Sequence, residues 1–200
     1  MQPIGYPVDH ALLQQYWQTF MASGRVNAVV GAEPDLNIIR SWKRCAPLAD
    51  PTNEPHPPRL REPALNSLLK SQKELIAVAI PFLEDMHQYI EGSGSAIMLA
   101  DGTGCVLDLC GDPIAQEMVN GRQLGVGAYW SESYLGTNGL GVTLVAAMPV
   151  QVVGAEHYFQ EFHRFTSTPA PIHDVNGRII GIIGVVSRAR DATSHTLSLV

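Results

Sequence analysis

Residues 125–173 read GVGAYWSESYLGTNGLGVTLVAAMPVQVVGAEHYFQEFHRFTSTPAPIH and carry the most varied side-chain chemistry in the chain. Around Trp130-Ser131-Glu132 and Gly136-Thr137-Asn138 the stretch shows neither the alternation of a strand nor the periodicity of a helix. An indole, a carboxylate, hydroxyls and a carboxamide together supply a stacking surface with hydrogen-bond donors and acceptors. Two interpretations follow: the wall of a ligand pocket, or a loop held to its own sheet by buried polar side chains.

The flanking sequence is typical of β-hairpins. Residues 96–100 and 105–109 are predicted strands joined by the turn at residues 101–104, and Asn176-Gly177 is a type I′ turn signal before the β-branched residues 178–187. Residues 140–147 and 151–153 also read as strand, and residues 114–120 as a short helix. Hairpins and helices in separate blocks indicate an α+β fold.

The N-terminal third is predicted to be helical. One helix begins at Asp9, and a second near Pro34 carries Arg40, Lys43 and Arg44, interpreted as a solvated face in preference to an anion-binding site. Residues 46–63 contain six prolines and form a linker or an extended strap. We therefore divide the chain into a helical segment with its linker, 1–63, and a main domain, 64–200.

A longer helix is predicted over residues 64–91, kinked or split at Pro81. Its apolar residues form two adjacent stripes of seven-residue spacing: Leu68, Leu75, Phe82 and Tyr89 in one, Leu69, Ile76, Leu83 and Ile90 in the other. One sheet face covers only part of such a width, so we expect the helix to contact a second copy of the chain as well. The sequence therefore predicts a homodimer.

Composition narrows the functional classes. The 200 residues are 46% hydrophobic with a net charge of −6, which suits a globular domain and argues against a direct grip on nucleic acid. The three cysteines form no CxxC pair, and the chain begins without a signal peptide, so we expect a reducing cytoplasm. Apolar runs are shorter than the ~18 residues of a membrane span, so no membrane contact is predicted.

The candidate ligand contacts fall in two parts of the 125–173 stretch. We expect loops of an α+β sheet to converge over one face and enclose a small-molecule effector. The predicted contacts are Trp130, Glu132, Thr137 and Asn138 on one side, and Glu156, His157, Tyr158, His163 and Phe165 on the other. The alternative is that the polar members bond loop backbone and that His157 is a core histidine.

Other chemistries find less support. Glu156, His157, His163, His173 and Asp174 have metal-ligand chemistry, but His157 and His163 fall on different faces of a helix and no HExxH pair exists. No metal and no cofactor is predicted. The sequence lacks a GxSxG elbow, and Ser131 has no activating partner, so no catalytic residue and no enzyme activity are predicted.

The motifs LADGTGCVLDLCGD, GVGAYWSESYLGTNGLGVTL and PVQVVGAEHYFQEFHRFTSTPAPIHDVNGRIIGIIGVVS resemble the GAF sensor domain of sigma-54-dependent transcriptional activators, of the acetoin and glycerol catabolism type. The resemblance covers roughly residues 35–200. It implies an antiparallel sheet of five or six strands with helices on one face, a small-molecule pocket, and an ATPase module and a helix-turn-helix in the full-length regulator. This sequence contains neither GxxxxGK[ST] nor GAFTGA, so we expect DNA contact to come from outside this chain.

The sequence also departs from that family. Gly139 and Val142-Thr143 stand where the family often has GTNAIGTAL, and residues 165–169 lack a cysteine that is common before the API motif. A redox or metal role of that cysteine would not transfer to this chain. The resemblance predicts an effector-sensing regulatory domain. A protein-interaction module without a small ligand is the alternative, followed by a non-haem iron sensor.

Overall fold

The computed structural model describes residues 9–25 and 34–191. The helices are α1 His10–Ser23, α2 Leu36–Cys45, α3 Ala64–Ser71, α4 Lys73–Ile90, α5 Pro113–Asn120, α6 Glu132–Leu135 and α7 Gly139–Ala146. The strands are β1 Ala96–Asp101, β2 Val106–Gly111, β3 Val152–Val153, β4 Phe165–His173 and β5 Ile179–Arg188. Three short 3-10 turns span Gly154–Glu156, Gln160–Arg164 and Ala189–Asp191. The α+β prediction is confirmed.

The strands form one antiparallel sheet in the order β2-β1-β5-β4-β3. Both predicted hairpins, β1–β2 and β4–β5, are present. The turn between β4 and β5 is not type I′, because only Gly177, at φ 78°, has a positive φ and Asn176 does not. The carboxylate of Asp174 organises the turn instead by accepting the backbone N–H groups of Asn176 and Arg178 at 2.8 and 2.9 Å.

Residues 140–147 were expected to form a strand, and this prediction is wrong: residues 140–146 belong to α7 and Ala147 is its C-cap. The side chain of Asn138 caps this helix by accepting the backbone N–H of Gly141 at 2.9 Å. The segment is apolar on all sides, so its periodicity cannot distinguish a buried helix from a buried strand.

The predicted split at Pro81 is also wrong, because α3 and α4 meet at Gln72 and α4 continues through Pro81, whereas the predicted kink stays a prediction. A proline removes the hydrogen bond to the carbonyl of the residue four positions earlier. Pro81 and Ala77, which carries that carbonyl, are both exposed. Water can therefore replace the missing bond and the helix survives.

The two faces of the sheet carry different partners. On one face Ile97, Leu99 and Val185 pack against α4 residues such as Leu83 and Ile90. On the other face Met98, Ala100, Ile182 and Val186 join a larger core with α1, α2 and the segments between β2 and β4. This division follows from the alternation of side chains along β1 and β5.

The N-terminal helices are packed into that larger core. Phe20 of α1 and Trp42 of α2 lie 5.3 Å apart by ring centroids, and both are buried. The indole N–H groups of Trp17 and Trp42 donate to the backbone carbonyls of Tyr158 and Glu156 at 2.9 and 2.7 Å. The boundary at residue 63 stays a prediction, although α1 and α2 share their core with the sheet.

The proline-rich segment is an extended strap along the loop before α6. Leu60 N–H donates to the carbonyl of Gly127 at 2.9 Å, and Tyr129 N–H donates to the carbonyl of Pro58 at 3.2 Å. None of the helices in the described ranges combines the length and the apolar character that crossing a bilayer requires.

Candidate functional site

A small enclosed cavity lies between α5, the loop that carries Trp130, and the paired strands β4 and β5. Its lining combines an apolar majority with three polar side chains: Met118, Val119, Leu124, Trp130, Asn138, His157, Phe162, Phe165, Ser167 and Val186. Four of the nine predicted contacts, Trp130, Asn138, His157 and Phe165, are therefore brought together. The cavity volume is about 20 Å³, which holds about one water molecule.

Asn138 holds the loop around the cavity. Its side-chain oxygen caps α7, and its amide nitrogen donates to the carbonyls of Trp130 and Gly136, both at 2.9 Å. Both amide hydrogens are thus used internally. The indole N–H of Trp130 donates to the carbonyl of Leu124 at 2.9 Å, so this side chain offers the cavity its ring surface only.

His157 contributes an imidazole to the cavity lining. Its Nδ1 lies 3.0 Å from the carbonyl oxygen of Gly154, which can only accept, so Nδ1 carries the hydrogen and Nε2 is the acceptor. Burial lowers the pKa of His157 to about 4. The imidazole is therefore neutral at physiological pH.

Ser167 is a cavity residue that sequence reasoning missed. Its Oγ accepts the backbone N–H of Gly139 at 3.0 Å, which leaves its own hydroxyl hydrogen free to donate. Phe165 and Ser167 lie two residues apart on β4 and so share one face of the strand. The alternation from Phe165 was the signal, but the prolines at 169 and 171 hid the strand.

Glu132 and Thr137 lie in a second group, the α2 polar cluster, which also contains Ser41, Arg44 and Cys45. The hydroxyl of Ser41 lies 2.6 Å from Glu132 Oε1 and 2.7 Å from Thr137 Oγ1. The guanidinium of Arg44 binds both Glu132 oxygens at 2.7 Å, which raises the pKa of Arg44 above its ordinary value. The cluster therefore joins the loop before α7 to α2.

Glu156, Tyr158 and His163 contact the N-terminal elements. The Glu156 carboxylate accepts the backbone N–H of Val153 at 2.7 Å, and burial raises its pKa to about 7. The Tyr158 hydroxyl donates to the carbonyl of Ala49 in the strap at 2.7 Å. His163 Nδ1 lies 3.0 Å from the side-chain oxygen of Gln14 in α1, and burial lowers the pKa of this imidazole to about 4.

The described residues offer no cluster of metal ligands, and two of the three cysteines are protonated thiols. Over residues 9–25 and 34–191, no three His, Cys, Asp or Glu side chains lie close enough to hold a metal ion. All three cysteines are free, and burial raises the pKa of both Cys45 and Cys105 to about 11. These two thiols are therefore protonated and unreactive at neutral pH.

Comparisons with known proteins agree on one kind of relative. A family model described as "MimR, N-terminal domain" matches residues 12–200. A signal-transduction and transcriptional-control protein of Clostridium beijerinckii is 34% identical over 82% of this chain, and the acetoin dehydrogenase operon transcriptional activator AcoR of Bacillus subtilis is 31% identical over 92%. The propane 2-monooxygenase operon transcriptional activator MimR of Mycolicibacterium smegmatis is 27% identical over 90%.

These relatives are much longer than the matched region. This chain spans 26% of the Clostridium protein and 30% of each of the other two. The crystal structure of the Escherichia coli DhaR(N)–DhaL complex contains a chain with the same fold, at a TM-score of 0.80 and 24% identity. The match covers 82% of this chain and 56% of that one.

Proposed function

Because the chain belongs to the MimR N-terminal domain family, we propose that it is the GAF sensor domain of a sigma-54-dependent transcriptional regulator and that it binds a small uncharged effector. The enclosed cavity at Trp130 and His157 is the observation that carries this proposal. The relatives are transcriptional regulators, and the proposed role is regulatory and not enzymatic.

The lining determines the class of effector. Among residues 9–25 and 34–191 no charged side chain lines the cavity, and a charge enclosed there would lack a partner, which is costly. Nε2 of His157 offers an acceptor, the hydroxyl of Ser167 offers a donor, and the ring of Trp130 offers an apolar cover. A compound of a few carbon atoms with a hydroxyl or carbonyl group suits these three contacts. The relatives named for acetoin dehydrogenase and propane 2-monooxygenase operons are consistent with small uncharged effectors.

Effector binding requires the cavity to expand. A volume of about 20 Å³ accommodates one water molecule, whereas the proposed effectors have about four to six non-hydrogen atoms. Met118 is the natural point of expansion, because it is unbranched, half-buried, and lines both the cavity and the outer surface of the domain. Movement of this side chain would enlarge the cavity and open it.

The loop around the cavity offers a route for the signal. Trp130 lines the cavity, and Glu132, two residues later, binds Ser41 and Arg44 of α2. A ligand that moves Trp130 would therefore also displace Glu132 and alter its contacts in the α2 polar cluster. The extent to which the ligand can shift the helices is limited by the difference in its affinity for their two arrangements.

The homodimer is part of the same proposal. An apolar groove of about 340 Å³ runs along α4 and the adjoining sheet face, lined by residues that include Leu75, Val78, Phe82, Tyr89 and Ile172. Phe82 is 62% exposed and Tyr89 78% exposed, although both belong to the predicted seven-residue stripe. A second copy would cover this surface.

The groove also favours a second candidate function, a protein-interaction module that binds no small molecule. The structural relative DhaR(N) was solved in complex with another protein, DhaL. The two candidates predict different results with small molecules. A sensor is stabilised by its effector, because a ligand that binds only the folded state raises the unfolding temperature, whereas an interaction module is not.

The test is a thermal-unfolding screen of uncharged compounds (acetoin, 2,3-butanediol, glycerol, acetone) against charged ones such as acetate and lactate. We expect one or more uncharged compounds to raise the unfolding temperature and the charged ones to have no effect. His157→Gln should abolish the shift, while His173→Gln, at an exposed histidine on β4, should preserve it. Shifts that survive in His157→Gln, or that charged compounds produce equally, would refute the proposed site.

A further inference from the structure

A second, open cleft on the outer surface concentrates positive charge. Four arginines, Arg122, Arg164, Arg188 and Arg190, line this outer arginine cleft together with His10 and His163. They come from separate segments: the turn after α5, the 3-10 turn Gln160–Arg164, the end of β5, and the 3-10 turn Ala189–Asp191. The cleft volume is about 640 Å³, within the range of small-molecule sites.

One carboxylate already balances part of this charge. Glu161 accepts from Arg122 Nε at 2.9 Å through one oxygen and from Arg164 Nη2 at 2.8 Å through the other. Each guanidinium has five N–H donors, so both arginines keep unused donors. Glu161 therefore fixes the positions of the two side chains without exhausting their capacity to bind an anion.

Arg188 has no such partner. It is half-buried at the end of β5, and within the described part of the chain no carboxylate pairs with its guanidinium. Arg122 and Arg188 also border a neighbouring cleft that contains Glu54, Glu117 and Glu161. The outer arginine cleft is thus the positive side of this boundary, and among the described residues no carboxylate offsets the charge of Arg188.

Like charges that line one cleft repel one another, and the repulsion is strongest where the side chains are partly withdrawn from water. The chain as a whole carries −6, so the cluster does not reflect a generally basic surface. This net charge also argues against binding to nucleic acid, which depends on the release of counterions by clustered Lys and Arg side chains. The arrangement fits a compact anion that enters the cleft.

We propose that the outer arginine cleft binds the phosphate group of a small molecule. Arginine is suited to phosphate because its planar fork donates two parallel hydrogen bonds to two oxygens. Arg188 is the primary contact, and Arg122 and Arg164, held by Glu161, direct their remaining donors to the same group. Arg122, Arg164 and Arg188 together with Glu161 carry a net charge of +2, which a doubly charged phosphate would neutralise.

The phosphate site and the internal cavity share a wall. Met118 lines both spaces, and the guanidinium carbon of Arg122 lies 5.2 Å from the centroid of the Phe165 ring, which faces the cavity. The inference goes beyond the proposed function and does not depend on it, because phosphate binding is measurable without any effector.

The test is isothermal titration calorimetry of the whole chain with inorganic phosphate and with glycerol 3-phosphate, at constant ionic strength set with chloride because salt screens such contacts. We expect saturable binding by wild type and a roughly ten- to hundredfold weaker affinity for Arg188→Gln, since a hydrogen bond to a charged group is lost. Arg188→Lys should fall between them. The matched control is Arg178→Gln, an exposed arginine in the β4–β5 turn, and should bind as wild type does.

The two probes distinguish the source of the phosphate. Equal affinities identify the phosphate group alone as the ligand, and tighter binding of glycerol 3-phosphate identifies a phosphate ester; both support the site. Absence of saturable binding with both probes overturns the proposal. Equal losses in Arg188→Gln and Arg178→Gln also overturn it, because they would reflect overall charge. Circular dichroism of each variant checks that a lost signal is not lost folding.

Discussion

The two faces of the sheet differ in how completely the chain covers them. On the face that carries the cavity, the indoles of Trp17 and Trp42 and the carboxylate of Glu132 all have hydrogen-bond partners on other elements. On the opposite face, α4 covers the strands but leaves Phe82 and Tyr89 largely exposed. The first face is therefore closed by α1 and α2, whereas the second retains an apolar surface.

This difference matches the two proposed roles of the domain, effector binding and dimer formation. A closed face with buried, paired polar groups is suited to hold a ligand in a fixed geometry, and an apolar face is suited to a partner. The seven-residue spacing of Leu75, Phe82 and Tyr89 is the same spacing that joins helices of different subunits. Variants on each face should therefore affect different measurements.

The largest effect is expected from Trp42→Ala. Trp42 is completely buried between α1 and the turn at Gly154–Glu156, so its removal leaves a cavity and should lower the free energy of unfolding by about 3–5 kcal/mol. Urea unfolding measures the change. Leu36→Ala, at an exposed position at the start of α2, is the control and should change stability little. Similar small losses in both variants would mean that α2 does not belong to the core.

The next effect concerns the other face. Phe82→Glu places a charge in the apolar groove and should dissociate the proposed homodimer, with a loss of about 2 kcal/mol or more in association free energy. Light scattering at micromolar concentration measures the mass. Leu48→Glu changes an equally exposed leucine in the strap and should leave the mass unchanged. A wild-type chain that is already monomeric would remove the dimer from the proposal.

A smaller effect is expected from Arg44→Ala in the α2 polar cluster. Glu132 is only 9% exposed, so loss of its arginine leaves a buried carboxylate with the hydroxyl of Ser41. Arg44 itself is 40% exposed, and water screens the pair, so the expected loss of stability is about 1–3 kcal/mol. Arg40→Ala, at the neighbouring exposed arginine, should be neutral. Equal effects would show that Arg44 acts through helix charge and not through Glu132.

The fold followed from local signals that do not depend on distant partners. Asp9 and Gly24 bound α1 as an N-cap and a left-handed C-cap, and Asp101 anchors the β1–β2 turn by accepting from Thr103 and Cys105. Such signals lie within a few residues of the structure they determine. The strand predicted at 140–147 failed because the capping role of Asn138 competes with an ambiguous apolar pattern.

The candidate site was harder to predict because its members are assigned by long-range packing. Glu132 and Asn138 look equivalent in sequence, yet one binds Arg44 of α2 and the other binds its own loop and lines the cavity. Ser41 gave no signal, because a single serine in a helix is ordinary, and the prolines at 169 and 171 obscured the alternation from Phe165 to Ser167. Only the arrangement of α2 and β4 around the loop distinguishes them.

The smallest effect is a pH dependence that arises within the closed face. Burial lowers the pKa of His157 from its ordinary 6.5 to about 4, so the unfolded chain takes up a proton below pH 6.5 and the folded chain does not until about pH 4. Stability due to this histidine is therefore lost as pH falls through that window, by about 0.7 kcal/mol between pH 7 and pH 6.

Glu156 changes stability in the opposite direction, because burial raises its pKa to about 7 and the folded state gains stability as this carboxyl is protonated. The wild-type profile alone therefore cannot isolate His157, and the comparison must be between variants. Urea unfolding gives the free energy of unfolding at pH 7 and at pH 6. The change in this free energy from pH 7 to pH 6 should be less negative by about 0.7 kcal/mol in His157→Gln than in wild type. His173→Gln, at an exposed histidine, should match wild type. An identical pH dependence in His157→Gln and wild type would mean that the imidazole is not held neutral in the cavity wall. A protonated imidazole has no acceptor at Nε2, so His157 could then not accept a hydrogen bond from an uncharged effector.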